Sequence, residues 1–405
     1  MQNRMIRPRT TIPGLLGVGL VSALCVASAA HAGEDKTDDK DKPTIVATTL
    51  YKADVSGVVS GGRSVAGRYL DNLELTADAS LEKLFGWNGA HVFAHILSNS
   101  GGAPNDLAGT IQGVDNIEVA RPRAKLYQFW IEQDFGGDTG SVLAGLYDLN
   151  SEFYHTDAAG LLIAPAFGVG SELAATGPNG PSIFPSTALA VRVRWAPAAD
   201  QQFEAAVLNA KAGVVGDPES VDVSFDDGAL VIGEWSYTGV TKIKFGAWRY
   251  TSEQADIRDI DAMGSPEGRT AQGVYASLER PLWGGAEGVR QITGFMRIGA
   301  ADGNTTPFKG GWQAGVLVSR VLAARPDSAL SFGFDQALMN AKYRANAFDA
   351  GGSPSRAESA FEITYADKLG DHLTLQPDLQ VIHDAGADSD NDDVAVATMR
   401  VSINF

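Results

Sequence analysis

From Thr44 to the C-terminus the chain alternates apolar and polar positions at a period of two, segment after segment, which predicts half-buried strands and few helices. The last segment is the cleanest. Ala395, Ala397, Met399, Val401, Ile403 and Phe405 form one face, and Val396, Thr398, Arg400, Ser402 and Asn404 form the other. The same alternation sets Leu189, Val191, Val193 and Trp195 against Arg192 and Arg194, and Leu373, Leu375, Leu379 and Val381 against Thr374, Gln376, Asp378 and Gln380. About sixteen strands are predicted, beginning near Thr44, Ala66, Gly89, Ala124, Ser141, Ser186, Gln201, Gly228, Val240, Ala271, Val289, Gly311, Ser328, Ala357, Asp371 and Asp393.

Period two serves a soluble sandwich and a membrane barrel equally well; the connections separate them. One set is short: Gly136 to Gly140, Ala196 to Asp200, the step at Gly239, Trp283 to Gly288, Ala323 to Asp327, and Asp367 to Gly370. The interleaved set is mostly long: Asn99 to Arg123, Ser151 to Pro185, Lys211 to Asp227, Thr251 to Thr270, Ala301 to Gly310, and Asn340 to Arg356. Short turns at one rim and long loops at the other mark a barrel inserted into a bilayer from one side. The predicted fold is therefore all-β: a transmembrane antiparallel β-barrel of about sixteen strands, with apolar faces toward lipid and polar faces toward water. A barrel of that size encloses an aqueous channel.

The longest connection, Ser151 to Pro185, carries Leu161-Leu162-Ile163-Ala164-Pro165-Ala166-Phe167, which is too apolar for an exposed loop. Folded inward against the wall it would act as a constriction loop; the other reading is a contact with lipopolysaccharide or a neighbouring subunit. Trp87, Trp283 and Trp312, with Tyr51, Tyr69, Tyr250 and Tyr365, fall near predicted strand ends and are candidates for interfacial aromatic girdles. The terminal Phe405 closes an amphipathic strand, as outer-membrane barrels commonly do.

Ahead of the strands, Arg4, Arg7 and Arg9 precede an apolar run from Leu15 to Ala30 and the small residues of Ala30-His31-Ala32, so residues 1–32 read as a secretory signal peptide. Residues 33–43 form a charged leader and 44–405 the barrel domain. Cys25, the one cysteine, lies inside the export segment, which leaves the mature chain without disulfides or thiol chemistry. Lys+Arg 32 against Asp+Glu 49 gives a net charge of -17, which becomes about −20 once the three arginines of the leader are removed. So acidic a chain is no partner for nucleic acid.

No motif for catalysis is found. The histidines outside the leader are His91, His95, His155, His372 and His383, and they form no zinc-ligand pattern with acids. There is no Gly-x-Ser-x-Gly elbow and no phosphate-cradling Gly-rich Lys-Ser or Lys-Thr loop. The acidic run Asp384 to Asp393 lacks the spacing of a calcium loop. No enzyme activity, cofactor or metal is expected.

Several ordered stretches resemble the carbohydrate-selective porin (OprB) family. They are Leu126-Tyr-Gln-Phe-Trp-Ile-Glu-Gln133, Gly145-Leu-Tyr-Asp-Leu-Asn-Ser-Glu-Phe-Tyr154, Gly177-Pro-Asn-Gly-Pro-Ser-Ile-Phe-Pro185, Ala188-Leu-Ala-Val-Arg-Val-Arg-Trp195, Gly273-Val-Tyr-Ala-Ser-Leu-Glu-Arg280 and Leu375-Gln-Pro-Asp-Leu-Gln380. The likeness runs from about Ala66 to Phe405; after the last stretch this chain has Val381-Ile382-His383 where a Tyr-Ile pair is often seen. The resemblance implies a sixteen-stranded channel in the outer membrane of a Gram-negative bacterium, passing glucose or other sugars by passive diffusion through an eyelet of arginines, acids and aromatics.

A neutral sugar needs hydroxyl partners of both polarities and a flat apolar face for its ring. Near the long loop, Gln128, Trp130 and Glu132 share a face opposite Tyr127, Phe129 and Ile131, while Arg192 and Arg194 share the inward face of the strand after the loop. Asp148 and Asn150 close the strand entering the loop and Glu152 begins it. Arg192, Arg194, Glu132, Trp130, Asp148 and Glu152 are therefore the candidate constriction and sugar-binding residues. Glu234, Glu279, Arg297, Gln313, Asp335, Glu362, Asp378 and Gln380 are expected to line the lumen further along. An arginine facing lipid at mid-depth would cost about 2–4 kcal/mol, which places Arg192 and Arg194 inside. The partners expected are sugar solutes, outer-membrane lipid and lipopolysaccharide, with the barrel as monomer or homotrimer. A general cation-preferring diffusion porin without sugar specificity is the alternative.

Overall fold

The computed structural model describes residues 43–137, 139–217, 220–284 and 289–405. The expected signal peptide and nearly all of the charged leader lie outside the described residues.

Among the described residues eighteen strands form in chain order: β1 (Ile45–Ser60), β2 (Gly67–Ser80), β3 (Ala90–Gly101), β4 (Arg123–Phe135), β5 (Gly140–Tyr147), β6 (Ala188–Ala198), β7 (Gln201–Asn209), β8 (Ala229–Thr238), β9 (Lys242–Tyr250), β10 (Gln254–Ile260), β11 (Pro266–Arg269), β12 (Gln272–Trp283), β13 (Gln291–Ala301), β14 (Phe308–Ser319), β15 (Ala329–Met339), β16 (Ala357–Leu369), β17 (Leu373–His383) and β18 (Val394–Asn404). Sixteen of them close into one antiparallel barrel, sealed by pairing of β1 with β18 from Leu50↔Asn404 to Ser60↔Ala395. The other two, β10 and β11, make a separate hairpin inside the connection from β9 to β12.

The alternation predicts which face points where. On β6, Val191 and Val193 are 50% and 43% exposed on the outside, while Arg192 between them is 1% exposed. The same inversion holds around the barrel: Phe245, Leu278, Met296, Phe332, Phe361 and Leu379 are exposed, and Glu234, Glu279, Arg297, Asp335, Glu362 and Asp378 are buried. Apolar outside and polar inside is the distribution of a barrel solvated by hydrocarbon. At the short-turn rim Trp195 stacks on Phe203 and Trp235 on Phe245, and Trp87 and Trp283 are half exposed, as an interfacial girdle requires. Tyr250 does not join it; at 1% exposure it faces inward and packs beside Trp248.

One local expectation fails. Strict alternation puts Tyr127 on the outer face, yet it is buried and donates its hydroxyl to Asp148 Oδ2 at 2.7 Å. The register between β3 and β4 slips there: His95 pairs with Gln128 but Ile96 with Leu126, leaving Tyr127 as the extra residue. A bulge turns consecutive side chains, Tyr127 and Gln128, to the same side.

The interior is packed by connections. The segment 148–187 lies against the polar faces of strands on both sides of the barrel and contributes to two apolar clusters. Leu149, Phe153, Tyr154, Val169 and Leu173 pack on Leu208, Leu230, Ile232, Trp248 and Tyr250. Leu161, Leu162 and Phe167 pack on Phe295, Leu317 and Ala366. The wall is hollowed to receive them: a β-carbon on Gly333 would stand 2.4 Å from Phe167 Cζ and 2.7 Å from Leu162 Cδ1, and one on Gly299 would stand 1.8 Å from Glu172 Oε1. The connection 102–122 also turns inward, with Leu107, Ala108 and Val114 packed on Val58, Ile382 and Val396.

Candidate functional site

Polar side chains on the strands hold these connections by their backbones. Arg297, from β13, donates to the carbonyls of Tyr154 (2.9 Å), Gly168 (2.8 Å) and Ala166 (2.7 Å). Glu279 accepts from the N–H groups of Asp157 and Ala158, and Glu362 from those of Ile163 and Ala164. Gln376 donates to Leu161 O, Gln380 to Val114 O, and Glu358 accepts from Ile111, Gln112 and Gly386. Sequence reasoning put Glu279, Arg297, Glu362 and Gln380 on the inward face correctly. What they meet there is loop backbone, which alternation along a strand cannot reveal. Arg400 completes the set: it pairs with Asp54 on β1 at 2.7 Å and reaches Asp115 (3.4 Å) and Asn116 (2.8 Å) of the inward connection.

Four of the six candidate site residues form one ion-pair cluster. Arg192 Nε lies 2.7 Å from Glu152 Oε2 and its Nη2 2.9 Å from Glu132 Oε1; Arg194 approaches Glu132 at 3.4 Å and Glu152 at 3.9 Å. His91 Nε2 sits 3.1 Å from Glu132, Ser141 accepts from Arg192 at 2.6 Å, and the Tyr147 hydroxyl donates to Glu152. The two arginines differ in access. Arg192 is sealed beneath the loop by its two bonds to Glu152, whereas the Arg194 side chain keeps 19% exposure.

Asp148 caps the short turn Leu149–Ser151, accepting from Asn150 N at 2.9 Å and from Tyr127. Burial holds its carboxyl above the ordinary range, against the bonds from Tyr127 and Asn150 that pull it down. Trp130 stands apart, stacked on Phe93 at 4.9 Å with its ring 7% exposed.

Between loops and wall lies a cavity of about 860 Å³. Arg194, Asp148 and Glu152 line it, together with Lys52, Glu74 and Lys244; Arg192, Glu132 and Trp130 do not. Flat ring surface is supplied there by Phe184, set edge-on to Tyr127 and beneath the Lys125 ammonium at 5.7 Å, and by Tyr237. Alternation along the strands singles out neither as a site residue, although Phe184 belongs to the family-like stretch Gly177 to Pro185. Among the described residues no group of three or more His, Cys, Asp or Glu side chains is arranged to hold a metal ion.

The model of the carbohydrate-selective porin, OprB family, matches residues 65–405. The chain belongs to that family. It is a β-barrel porin of the Gram-negative outer membrane, and its family and fold are those of a channel. Porin B of Pseudomonas aeruginosa is 22% identical over 458 residues, spanning 100% of both chains. The high-pH structure of Pseudomonas putida OprB superposes with a TM-score of 0.80 at 21% identity, covering 89% of this chain and 94% of that one. The low-pH structure of the same protein gives a TM-score of 0.58 at 17% identity, covering 89% and 93%. At these identities the superpositions speak for the fold, and the family assignment rests on the match across the whole barrel domain.

Proposed function

We propose that this porin passes neutral mono- and oligosaccharides by passive diffusion, and that the connection 148–187, with 102–122 beside it, narrows the water-filled lumen to a sugar-sized passage. The observation that carries the reading is the cavity wall itself, whose lining combines Arg194, Asp148 and Glu152 with the rings of Phe184 and Tyr237. Fixed donors and acceptors of opposite charge orient hydroxyls, while an aromatic face takes the apolar side of a pyranose. In this reading Arg194, Asp148 and Glu152 meet solute. Arg192 and Glu132 act behind them, holding Glu152 and Arg194 in place, and Trp130 stiffens the wall. Passage requires weak contacts, because a solute bound tightly would not leave.

The test is planar-bilayer recording with a titration of glucose and maltose-type sugars. Conductance should fall saturably as sugar is added, and Arg194→Ala should weaken that block several-fold with the barrel intact. Liposome-swelling rates that follow solute size alone, with no sugar block at any concentration, would favour the general diffusion porin instead.

A further inference from the structure

Lysines in the lumen are neutralised, with one exception. Lys52, Lys242 and Lys244 line the cavity and each meets a carboxylate: Lys52 lies 2.9 Å from Glu74, Lys244 3.0 Å from Glu234, and Lys242 contacts Asp157. Lys125, on β4, is 7% exposed and has no carboxylate within salt-bridge distance among the described residues. Its neighbours are committed elsewhere or apolar: Arg123 pairs with Asp217, the Tyr127 hydroxyl goes to Asp148, and the cross-strand partner is Leu97. Taking an ammonium out of water without a counter-charge is costly. What Lys125 meets instead is the face of Phe184, 5.7 Å from the ring centroid.

Phe184 is fixed from two further sides. The Tyr127 ring stands 6.3 Å from it at an interplanar angle of 65°. The turn that carries it is closed by the bridge Ile183↔Ser186 and tied to β4 by Thr187, whose hydroxyl donates to the Tyr127 carbonyl. A cation is drawn to the negative face of an aromatic ring and not to its edge, so Lys125 sets the plane of Phe184 as well as its position. Half-buried, the ring still lines the cavity. Since β4 begins at Arg123 on the long-loop rim, this contact lies on the extracellular side of Glu132 and its ion-pair cluster, separated by roughly 20 Å of strand.

We propose that Phe184 is an outer platform on which a pyranose ring stacks before it reaches Arg194, that Lys125 is the positioning residue holding the platform face-on to the passage, and that the channel thereby selects cyclic sugars over open-chain polyols of similar size. The proposal rests on the sugar-channel reading above and names the feature of the solute that this part of the wall reads. The C–H groups on one side of a pyranose form a flat apolar patch, which matches the ring face that Lys125 leaves free. An open-chain hexitol offers nearly the same hydroxyls and no such patch. A cation over an aromatic face shifts an equilibrium by roughly 5- to 30-fold when the pair is shielded from water.

Planar-bilayer recordings of the full-length porin, titrated separately with D-glucose and sorbitol, give a block constant for each solute. Glucose should block about fivefold more tightly than sorbitol or better. Lys125→Met keeps the length of the side chain and removes its charge; it should weaken glucose block about fivefold and bring the two constants together, and Lys125→Arg should restore the difference. Phe184→Leu keeps apolar bulk without a flat face and should act as Lys125→Met does; it carries the test if Lys125→Met yields too little heat-modifiable barrel. Equal block by glucose and sorbitol in the parent, or a ratio that Phe184→Leu leaves unchanged, would overturn the platform while the sugar channel stands. A Lys125→Met change that moves both constants alike and is not rescued by arginine would reduce Lys125 to wall packing and overturn its positioning role. No block by either solute, with swelling rates that follow size alone, would overturn the sugar-channel reading and the platform with it.

Discussion

Arg297 offers the sharpest perturbation of the passage. Its guanidinium is buried, and three of its bonds end on the carbonyls of Tyr154, Ala166 and Gly168, with a fourth on Gln313 Oε1 at 2.7 Å. Arg297→Ala removes the donors and leaves three carbonyls that must find water or go without. A bond from a charged donor contributes about 1.5–3 kcal/mol when nothing replaces it. Water from the lumen will reach the freed carbonyls, so about 1 kcal/mol for each is the better figure, or roughly 3 kcal/mol in all. That moves the docked-to-undocked balance of residues 154–168 by about a hundredfold, at 1.4 kcal/mol per factor of ten. The segment will not detach, because Glu279, Glu362 and Gln376 still hold it and Phe167 still packs on Phe295. Single-channel recordings should show a larger and noisier conductance, and swelling rates for disaccharides should rise more than those for monosaccharides. Adding Glu362→Gln should enlarge both effects. Heat-modifiability on gels reports whether the barrel itself survives. Conductance and swelling equal to the parent in both variants, with intact barrels, would refute the claim that this loop sets the bore.

Two further outcomes follow from the ion pairs. Arg400→Met strands Asp54 and Asp115, both fully buried, at the β1–β18 seam and should destabilise the barrel by roughly 3–5 kcal/mol, read as a lowered urea midpoint; adding Asp54→Asn should recover part of the loss, and a midpoint within error of the parent would contradict it. At the extracellular rim, the hairpin of β10 and β11 is clasped to the helix Ala341–Asp349 by Lys342 with Asp256 and by Arg258 with Asp349 at 2.8 Å. Burial pushes the Asp256 carboxyl up, but Lys342 and the N–H groups of Arg258 and Asp259 outweigh it and bring it down to about 2. Because this value lies below the ordinary carboxylate value of about 3.9, the clasp is fully present above that pH and is lost as pH falls toward about 2. Amide exchange in the hairpin should therefore accelerate between about pH 4 and pH 2, and Asp256→Asn should show no such step; equal protection across that range in the parent would count against it.

Much of the barrel is written in side-chain alternation. The predicted starts at Thr44, Ala66, Gly89, Ala124 and Ser141 compare with observed strands beginning at Ile45, Gly67, Ala90, Arg123 and Gly140, because one flipped residue would move every charge to the lipid face. The inward placement of Arg192, Glu132 and Arg297 follows from the same penalty. Bulges escape this logic, as Tyr127 shows: an extra residue shifts the phase without altering composition. The connections escape it as well. Nothing periodic announces the hairpin Gln254–Arg269 or the helix Ala341–Asp349, both of which are stabilised by ion pairs between loops distant in sequence. The inward course of 102–122 had a usable signal in the apolar Leu107, Ile111, Val114 and Ile117, too many for a loop in water, of the same kind that Leu161 to Phe167 gave.

Arg192 and Arg194 show why a site of this type cannot be read from strands alone. They sit two residues apart on one face of β6, and on alternation they are equivalent. Much of the difference between them comes from Glu152, which belongs to the loop and takes two hydrogen bonds from Arg192 at 2.7 and 2.8 Å. That capture turns a lumen arginine into an anchor and leaves Arg194 as the guanidinium proposed to meet solute. Exchange of roles is therefore the expected response to Glu152→Gln. Arg192 loses its strongest partner, the loop start loosens, and both arginines come to face water. Sugar block should then change in affinity and conductance together, whereas Arg194→Ala changes affinity first. Identical behaviour of the two variants would mean that the loop does not partition the two arginines.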